Sequence, residues 1–448
     1  MVWVQPWWVA RERLEKTMSR YADILEDQKK ELALLLGEKD IVAREQAKRI
    51  VLDSSLAQVV TGIRRCGKSV LCRMALAGAG VEFGYVNFDE PSLANIGVED
   101  LDEILKAVYV VYGDVRHLFF DEIQNVPSWQ LFVNRLLRQG KRVVLTGSNS
   151  RLLTDDLATH LTGRFIATEL MPFSFAEYRA WMKRGPARTT AEKAELRRDY
   201  DHYFLHGGMP ESFAYPDPRE YASTLYHSIL LRDVLKRHRL RDAKRFLDTA
   251  YVVMSNFASE VSCTRLAKRL GFKNGVTVQG YLGYLAESYL VCTLPQYGSK
   301  AYERTRIGKA YAIDPGFISH FSGYSDLDGN YGRRLENIVF LQLFRMRRAT
   351  NAEVFYWKDG RHEVDFLLRR FGKVWKLVQV SYDISGDRTR KRELSALFAA
   401  GRKLDCRDLT LVTDHENGEE TLDGMKVRIV DILSWLMEQG QPMAQAGG

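Results

Sequence analysis

Between position 56 and about position 175, short apolar runs alternate with longer segments in which apolar residues recur every three or four positions. The short runs have the length and composition of buried strands, and the longer segments have the spacing of amphipathic helices. Strands that alternate with helices predict a parallel sheet covered by helices on both faces. The predicted strands are 56–60, 81–88, 117–120, 142–146 and 165–170.

The pattern differs on both sides of this block. Residues 10–50 are charged and have Leu and Ile at helical spacing, which predicts helices that lead into the first domain. Residues 176–255 are also helical and charged, without strand-like runs. The segment 256–300 predicts two short helices around a glycine turn and then a strand, which is the pattern of a winged helix. These elements are predicted at 263–270, 277–288 and 289–294.

Beyond position 316 the pattern again mixes helices and strands, which predicts a second α/β domain. Helices are predicted at 334–345 and 388–400, and strands at 353–357, 363–368, 374–381 and 409–413. For the last residues, 441–448, we expect a disordered tail.

The composition is that of a folded protein. With 448 residues the chain is long enough for two or three domains, and 46% apolar and 27% charged residues argue against extensive disorder. Apolar runs are too short for a membrane-spanning helix, and the N-terminus lacks the pattern of a secretory signal. The five cysteines are scattered and form no C-x-x-C pair. We therefore expect reduced thiols, a cytoplasmic location and no membrane partner.

The net charge of +8 favours an acidic partner such as nucleic acid or a nucleotide. The excess is concentrated in two basic runs, 232–245 and 388–392. Each run is either the solvated face of a helix or a surface that contacts phosphates, and the sequence alone leaves both interpretations open.

Residues 62–69 match the pattern G-x-x-x-x-G-K-[ST]. In such a loop the glycines let backbone N–H groups converge on phosphates, the lysine adds charge at the β- and γ-phosphates, and the hydroxyl ligates Mg²⁺. A strand precedes the loop and an apolar helical segment follows it, which favours a phosphate loop over an ordinary glycine-rich turn. We expect ATP and Mg²⁺ as ligands, and Lys68 as a catalytic residue. The residues expected to bind the nucleotide are Gly62, Ile63, Arg64, Arg65, Cys66, Gly67, Lys68, Ser69 and Val70.

Two carboxylates follow the third predicted strand. Asp121 is placed to hold Mg²⁺ together with Ser69, and Glu122 is placed to orient and deprotonate the attacking water. The fourth strand ends near Ser148 and Asn149, which would lie at the same edge of a parallel sheet. We take Asn149 as a catalytic candidate, although either side chain could bind the water or the γ-phosphate.

Arg164 stands just before the fifth predicted strand. It is either a surface residue in a salt bridge or a cation that reaches the γ-phosphate of a neighbouring subunit. The loop, the acidic pair, the polar strand end and this arginine resemble, in their order, the AAA+ ATPases. In that family an arginine before the fifth strand commonly acts on the neighbouring subunit, which implies self-association through Arg164.

A narrower resemblance covers nearly the whole chain. The motifs are similar to those of archaeal and bacterial AAA-domain ATP-binding proteins whose C-terminal module is related to restriction-type nucleases. They are TGIRRCGKS at 61–69, FDEIQ at 120–124, LTGS at 145–148, GRF at 163–165, PFSFAE at 172–177, HGGMPE at 206–211 and RD at 232–233. The resemblance implies a nuclease-like fold for the C-terminal block.

Restriction-type nucleases place a Glu on the first helix, an Asp at a strand start and Glu-x-Lys on the next strand, and their carboxylates bind Mg²⁺. The sequence supplies Glu336 and Asp365, but Gln379 and Ser381 replace the Glu and the Lys. Gln is a weaker ligand for a hard cation, and Ser381 carries no positive charge. Lys376 would point to the opposite face of the strand from Gln379. We therefore expect a nuclease-like domain without nuclease activity.

The predicted fold class is α/β: an AAA+-like P-loop NTPase sheet, a helical and winged-helix region, and a C-terminal restriction-endonuclease-like domain. The predicted domains are a helical lead-in (1–50), the ATPase core (51–180), a helical region (181–255), a winged-helix-like domain (256–315), the nuclease-like domain (316–440) and the tail (441–448). The favoured function is ATP binding and hydrolysis coupled to DNA binding. The residues expected to face DNA are Lys268, Arg269, Lys273 and Gln279. The alternatives are an ATP-dependent nuclease and a nucleotide-dependent switch that acts on protein partners.

Overall fold

The computed structural model describes residues 7–37, 41–150, 163–298, 308–321 and 327–439, so the tail expected at 441–448 lies outside the described residues. The chain divides into two compact units, Met1–Leu170 and Met171–Gly448. Within the described ranges, no helix combines the length and the apolar character that crossing a membrane requires.

The first unit is built on a parallel sheet. Its strands are β1 (Ala57–Thr61), β2 (Phe83–Asn87), β3 (His117–Asp121), β4 (Arg142–Gly147) and β5 (Phe165–Glu169). Their order across the sheet is β2-β3-β4-β1-β5, and all neighbouring strands run parallel. The five predicted strands and their parallel arrangement are confirmed. The order brings the carboxyl ends of β1, β3 and β4 to one edge of the sheet.

Helices and short 3₁₀ turns connect these strands. The helices are α1 (Trp7–Leu36), α2 (Lys68–Gly78), α3 (Leu101–Tyr112) and α4 (Trp129–Arg138), and the 3₁₀ turns are Glu45–Arg49, Pro91–Leu93, Val98–Asp100 and Ile123–Asn125. The lead-in helix α1 contributes Tyr21 and Leu25 to the hydrophobic core of this unit. The side-chain amide of Gln28 forms hydrogen bonds with the N–H and the carbonyl oxygen of Asn87 at 2.9 and 3.0 Å. These bonds give the backbone of edge strand β2 hydrogen-bond partners at its last residue. Helix α1 is therefore part of the sheet's packing.

The second unit begins with a helical region, as predicted. Its helices are α5 (Phe175–Trp181), α6 (Thr190–His206), α7 (Pro218–Ser228) and α8 (Ala243–Ser255), with a 3₁₀ turn at Pro210–Ala214 and a π-helical segment at Ile229–Lys236. Helices α5 and α6 both start with capping boxes, in which Ser174 pairs with Glu177 and Thr189 pairs with Glu192. Local sequence signals thus fix where these two helices start.

A helix pair and a small antiparallel sheet follow. Helices α9 (Cys263–Leu270) and α10 (Gly275–Glu287) stand beside strands β6 (Ser259–Glu260), β7 (Val291–Leu294) and β8 (Lys309–Ala312), in the order β6-β8-β7. Gly271 ends α9 at φ +73°, and the Asn274 side chain caps α10 by accepting from the Val276 N–H at 3.1 Å. The two predicted helices and the strand after them are confirmed, and the winged-helix interpretation stays a prediction.

The C-terminal part carries a mixed sheet. Its strands are β9 (Glu353–Lys358), β10 (Glu363–Arg370), β11 (Lys373–Val380), β12 (Leu409–Thr413), β13 (Gly418–Leu422) and β14 (Met425–Asp431), in the order β13-β14-β12-β11-β10-β9. The helices are α11 (Pro315–Phe321), α12 (Leu327–Met346), α13 (Asp387–Leu404) and α14 (Ile432–Gln439). All elements predicted in this block are confirmed, whereas α11, β13, β14 and α14 were not predicted. The nuclease-like assignment stays a prediction.

Candidate functional site

The loop 62–67 joins β1 to α2 and depends on two glycines. A Cβ atom on Gly62 would lie 2.0 Å from the Leu170 carbonyl oxygen, so a larger residue does not fit. Gly67 has φ +97° and precedes the first residue of α2. In the described part of the chain no side chain caps the N-terminus of α2. The N–H groups of the first turn and the positive end of the helix dipole favour an anion at this position.

Lys68 begins α2 and is 4% exposed. Its ammonium donates to the carbonyl oxygens of Gly62 and Ile63, both at 3.2 Å. The same ammonium lies 3.5 Å from Oε1 of Glu122. The loop thus folds back around a buried positive charge that is held by backbone carbonyls and one carboxylate.

Asp121, at the end of β3, is buried among hydroxyl groups. Its Oδ1 accepts hydrogen bonds from Ser69 at 2.8 Å and from Thr146, and its Oδ2 accepts one from Tyr85 at 3.3 Å. Burial raises the pKa of Asp121, as does the charge of Glu122, while the hydroxyl donors oppose the rise. A serine hydroxyl and a carboxylate are hard oxygen ligands, so Ser69 and Asp121 fit Mg²⁺.

Glu122 has a left-handed backbone at φ +52°, and its N–H donates to Oγ1 of Thr146 at 2.9 Å. The side chain accepts from Nε2 of Gln124, which lies 3.4 Å from Oγ of Ser148. Burial acts to raise the pKa of Glu122, but the Lys68 ammonium, the Arg64 charge and the hydrogen bonds from Gln124 and Ser148 together outweigh burial and lower that pKa. Glu122 is therefore an ionised carboxylate in a fixed orientation, which is what a general base requires.

The other loop residues occupy different surroundings. Arg64 forms a 2.9 Å ion pair with Asp89. Ile63 and Cys66 are fully buried, Arg65 is exposed and Val70 is half-buried. Ile63 and Cys66 can therefore offer a ligand only their backbone groups.

The remaining sequence candidates lie at the ends of β4 and β5. Ser148 is buried beside Gln124, and Asn149 is buried directly after it. The side chain of Arg164 is exposed, while its carbonyl accepts from the Ala57 N–H at 3.0 Å. The structure brings Lys68, Ser69, Asp121 and Glu122 together. Ser148 also contacts Glu122, a contact that the sequence did not predict.

Sequence reasoning missed three polar residues that hold this group in place: Tyr85, Gln124 and Thr146. Thr146 follows from the strand order, because β3 and β4 are neighbours and their last residues meet. A signal for Thr146 was present in the sequence, since it is a hydroxyl residue at the end of a buried apolar strand.

In the second unit, the predicted nuclease-type residues also lie together. Lys309 of β8 bridges Glu336 at 2.9 Å and Asp365 at 3.0 Å. Oε1 of Gln379 accepts from the Asp365 N–H at 3.1 Å. Sequence reasoning placed the three carboxylate and amide side chains correctly but missed the lysine among them.

Lys376 does not join this cluster, as predicted. Its ammonium pairs with Asp408 at 3.1 Å, on the other face of β11 from the buried Gln379. The hydroxyl of Ser381 donates to the Asp383 carbonyl at 3.2 Å.

Comparison with known proteins identifies the class of the first unit. A family model described as an AAA domain matches residues 54–179, which include the loop, both strand-end carboxylates and Arg164. Two domains of unknown function, DUF8612 and DUF4143, match residues 197–328 and 331–432. The chain therefore carries a P-loop ATPase domain of the AAA type.

The chain is 33% identical over 394 residues to the uncharacterized protein MJ1544 of Methanocaldococcus jannaschii, covering 84% of this chain and 87% of that protein. It belongs to the same family as MJ1544. An uncharacterized protein of Haemophilus influenzae is 28% identical over 404 residues, which cover 86% of this chain and 95% of that protein. Among solved structures, the Walker-type ATPase PABY2304 of Pyrococcus abyssi is 16% identical with a TM-score of 0.44, covering 63% of this chain and 96% of that one.

Proposed function

We propose that this protein hydrolyses ATP at the loop 62–69, with Mg²⁺ as cofactor. The observation that supports this most strongly is the convergence of Lys68, Ser69, Asp121 and Glu122 at one edge of the parallel sheet. These side chains supply a phosphate-binding cation, two metal ligands and a base within one small volume.

Each group has a specific role in this proposal. The N–H groups of the loop and of the first turn of α2 bind the phosphates, and the Lys68 ammonium moves from backbone carbonyls to the β- and γ-phosphates. Bound Mg²⁺, held by Ser69 and Asp121, would neutralise charge on the phosphate oxygens. Glu122 accepts a proton from water as the water oxygen bonds to the γ-phosphorus and the bond to the β–γ bridging oxygen breaks.

A matched pair of lysine variants tests the proposal. Lys68→Ala removes the buried ammonium, whereas Lys106→Ala removes a surface lysine that pairs with Glu103 at 2.7 Å. We expect Lys68→Ala to lose both ATP binding, measured by calorimetry, and phosphate release, and Lys106→Ala to keep both. Wild-type turnover in Lys68→Ala would refute the assignment of the site.

We further propose that Arg164 completes the site of a neighbouring copy of the chain. Its exposed side chain, just before β5, is available to another molecule. If so, Lys68→Ala and Arg164→Ala should each be inactive alone, and mixing them should restore part of the turnover. The mixture gains activity because a Lys68→Ala chain supplies Arg164 to the intact loop of a neighbouring Arg164→Ala chain. A mixture as inactive as its components would count against a shared site.

DNA binding is a second candidate function, favoured by the surface of the α9–α10 helix pair. The side chains of Lys268, Arg269, Lys273 and Gln279 are all exposed on it. The Arg245 guanidinium lies 5.5 Å from the Phe272 ring in the turn between the helices. The basic run 232–245 therefore ends beside the helix pair, and the two can form one phosphate-contacting surface.

A salt series tests this candidate. DNA affinity should fall steeply with salt, and removing one phosphate contact by Lys268→Ala should reduce the slope of log affinity against log salt by about 1. The control is Lys376→Ala, which changes a lysine of β11 that pairs with Asp408. DNA affinity that is absent at low salt would refute the candidate. ATP-dependent association with another protein, without stimulation of hydrolysis by DNA, would favour the switch acting on protein partners.

A further inference from the structure

Lys309 is buried at the centre of a cluster of three carboxylates. Its side chain is 5% exposed, and its ammonium lies 2.9 Å from Glu336, 3.0 Å from Glu363 and 3.0 Å from Asp365. An ammonium group has three N–H donors, and here three carboxylates surround it. The hydrogen-bonding capacity of Lys309 is thus matched by its neighbours.

The carboxylates are themselves held in place. Glu336 accepts from the Tyr311 hydroxyl at 2.6 Å, and Oδ2 of Asp365 accepts from the Val380 N–H at 3.1 Å. Lys309 and Tyr311 come from β8 of the three-stranded sheet, whereas Asp365 belongs to β10 of the six-stranded sheet and Glu336 to α12. The cluster therefore connects the two sheets of the second unit.

Buried carboxylates this close together need a cation. Burial raises the pKa of Glu336 to about 7, with the Asp365 charge as the next cause. Burial alone would lower the pKa of Lys309, but Asp365, Tyr311 and the two glutamates outweigh it and hold that pKa well above its ordinary value. Without a cation the buried negative charges would repel each other and lack solvation.

Nuclease-type chemistry would require that cation to be Mg²⁺, and the residues present do not fit it. Mg²⁺ takes six oxygen ligands at about 2.1 Å, and the Lys309 ammonium already lies between the carboxylates that would supply them. Both polar atoms of the Gln379 side chain already form hydrogen bonds: Oε1 accepts from the Asp365 N–H, and Nε2 donates to Glu393 at 2.8 Å. Within the described ranges, no group of three His, Cys, Asp or Glu side chains is arranged to hold a metal ion.

We infer that the Lys309 ammonium is the permanent counter-ion of this cluster and takes the place of a divalent cation. The ion pairs of the cluster then hold the three-stranded and six-stranded sheets together, and we call the cluster an ionic joint for this reason. The cluster does not cut phosphodiester bonds. The inference does not depend on ATP hydrolysis in the first unit.

Binding of Mn²⁺ to the nucleotide-free full chain, followed by electron paramagnetic resonance, tests the inference. The wild type and Asp365→Asn should bind the same amount of Mn²⁺, because no metal ion is bound at Asp365 in the wild type. Lys309→Ala removes the ammonium and should gain about one bound Mn²⁺ per chain. That gain should disappear in the double variant Lys309→Ala/Asp365→Asn. The control Lys358→Ala, which changes an exposed lysine that also contacts Glu363 at 3.1 Å, should gain none.

Two results would overturn the inference: Mn²⁺ binding by the wild type that Asp365→Asn abolishes, or a folded Lys309→Ala chain that gains no Mn²⁺. The comparison of the wild type with Asp365→Asn needs no Lys309 variant, so it decides the question even where Lys309→Ala fails to fold. Mn²⁺-dependent cutting of DNA by the wild type that Asp365→Asn abolishes would likewise contradict the joint.

Discussion

The hydroxyl of Ser69 donates a 2.8 Å hydrogen bond to Oδ1 of Asp121. This bond joins the first turn of α2 to the end of β3, across 52 positions of sequence. It places the loop's hydroxyl and the strand-end carboxylate side by side. In the proposed function, these two groups would hold the divalent cation that binds the β- and γ-phosphates.

Removing the Ser69 hydroxyl should therefore weaken Mg²⁺-dependent nucleotide binding. We expect Ser69→Ala to need roughly tenfold more Mg²⁺ for half-maximal turnover, which corresponds to about 1.4 kcal/mol for a lost charge-assisted contact. Phosphate release measured against Mg²⁺ concentration checks this. Ser92→Ala, on an exposed serine, is the matched control. An unchanged Mg²⁺ requirement in Ser69→Ala would remove this residue from the metal site.

The two loop glycines should respond differently to substitution. A Cβ on Gly62 would meet the Leu170 carbonyl at 2.0 Å, whereas one on Gly67 would meet no described atom within 4 Å. Gly62→Ala should destabilise the fold by about 1–3 kcal/mol through overpacking. Gly67→Ala should cost less stability, because only its φ of +97° is strained, but it should lose nucleotide affinity. Urea unfolding and ATP titration of both variants separate these effects. Equal losses of stability would contradict the close approach at Gly62.

If Glu122 is the general base of the proposed function, its contact with Gln124 gives Gln124 the role of orienting that base. Because Gln124 donates to Glu122 and also lies beside Ser148, Gln124→Ala should leave the carboxylate less well positioned. We expect kcat to fall roughly tenfold while KM stays unchanged, since one interaction of the base is lost and phosphate binding is not affected. Gln139→Ala, at an exposed position, is the control. A change in KM alone would mean that Gln124 contributes to binding.

Most of the first unit could be predicted from the sequence, because each buried parallel strand is a continuous apolar run and the loop has a fixed spacing. Ser69, Asp121 and Glu122 followed from the same patterns. To predict the contact of Thr146 with Asp121, one must also know that β3 and β4 are neighbours in the sheet. The pattern of apolar runs predicts the strands but not their order in the sheet.

The second unit was harder to predict. Strand β13 is mostly exposed, so it lacks the alternation of apolar and polar residues that marks a half-buried strand. Lys309 is a lone lysine in its segment, and its partners lie 27 to 56 positions away. Only the packing of β8 against α12 and β10 brings these charges together.

His206 should make the stability of the protein depend on pH. Burial, and next the charge of His202, lower the pKa of His206 to about 4, against about 6.5 in the unfolded chain. The unfolded state therefore binds more protons between these values, so the free energy of unfolding should fall as the pH drops from 7 to 5. The ring is only half-buried, so solvent screening limits this contribution to about 1 kcal/mol. Urea unfolding should show a smaller pH dependence in His206→Asn, and an unchanged dependence would contradict this role of His206.

Phosphate release by Glu122→Gln decides whether the loop 62–69 belongs to a hydrolytic site. The substitution keeps the size of the side chain but removes the carboxylate that lies 3.5 Å from the Lys68 ammonium. Glu103→Gln, which changes a carboxylate on α3, is the matched control. We expect Glu122→Gln to bind ATP as tightly as the wild type and to release phosphate at least about 100-fold more slowly, as for the loss of a general base. Turnover at the wild-type rate in Glu122→Gln would contradict hydrolysis at this site.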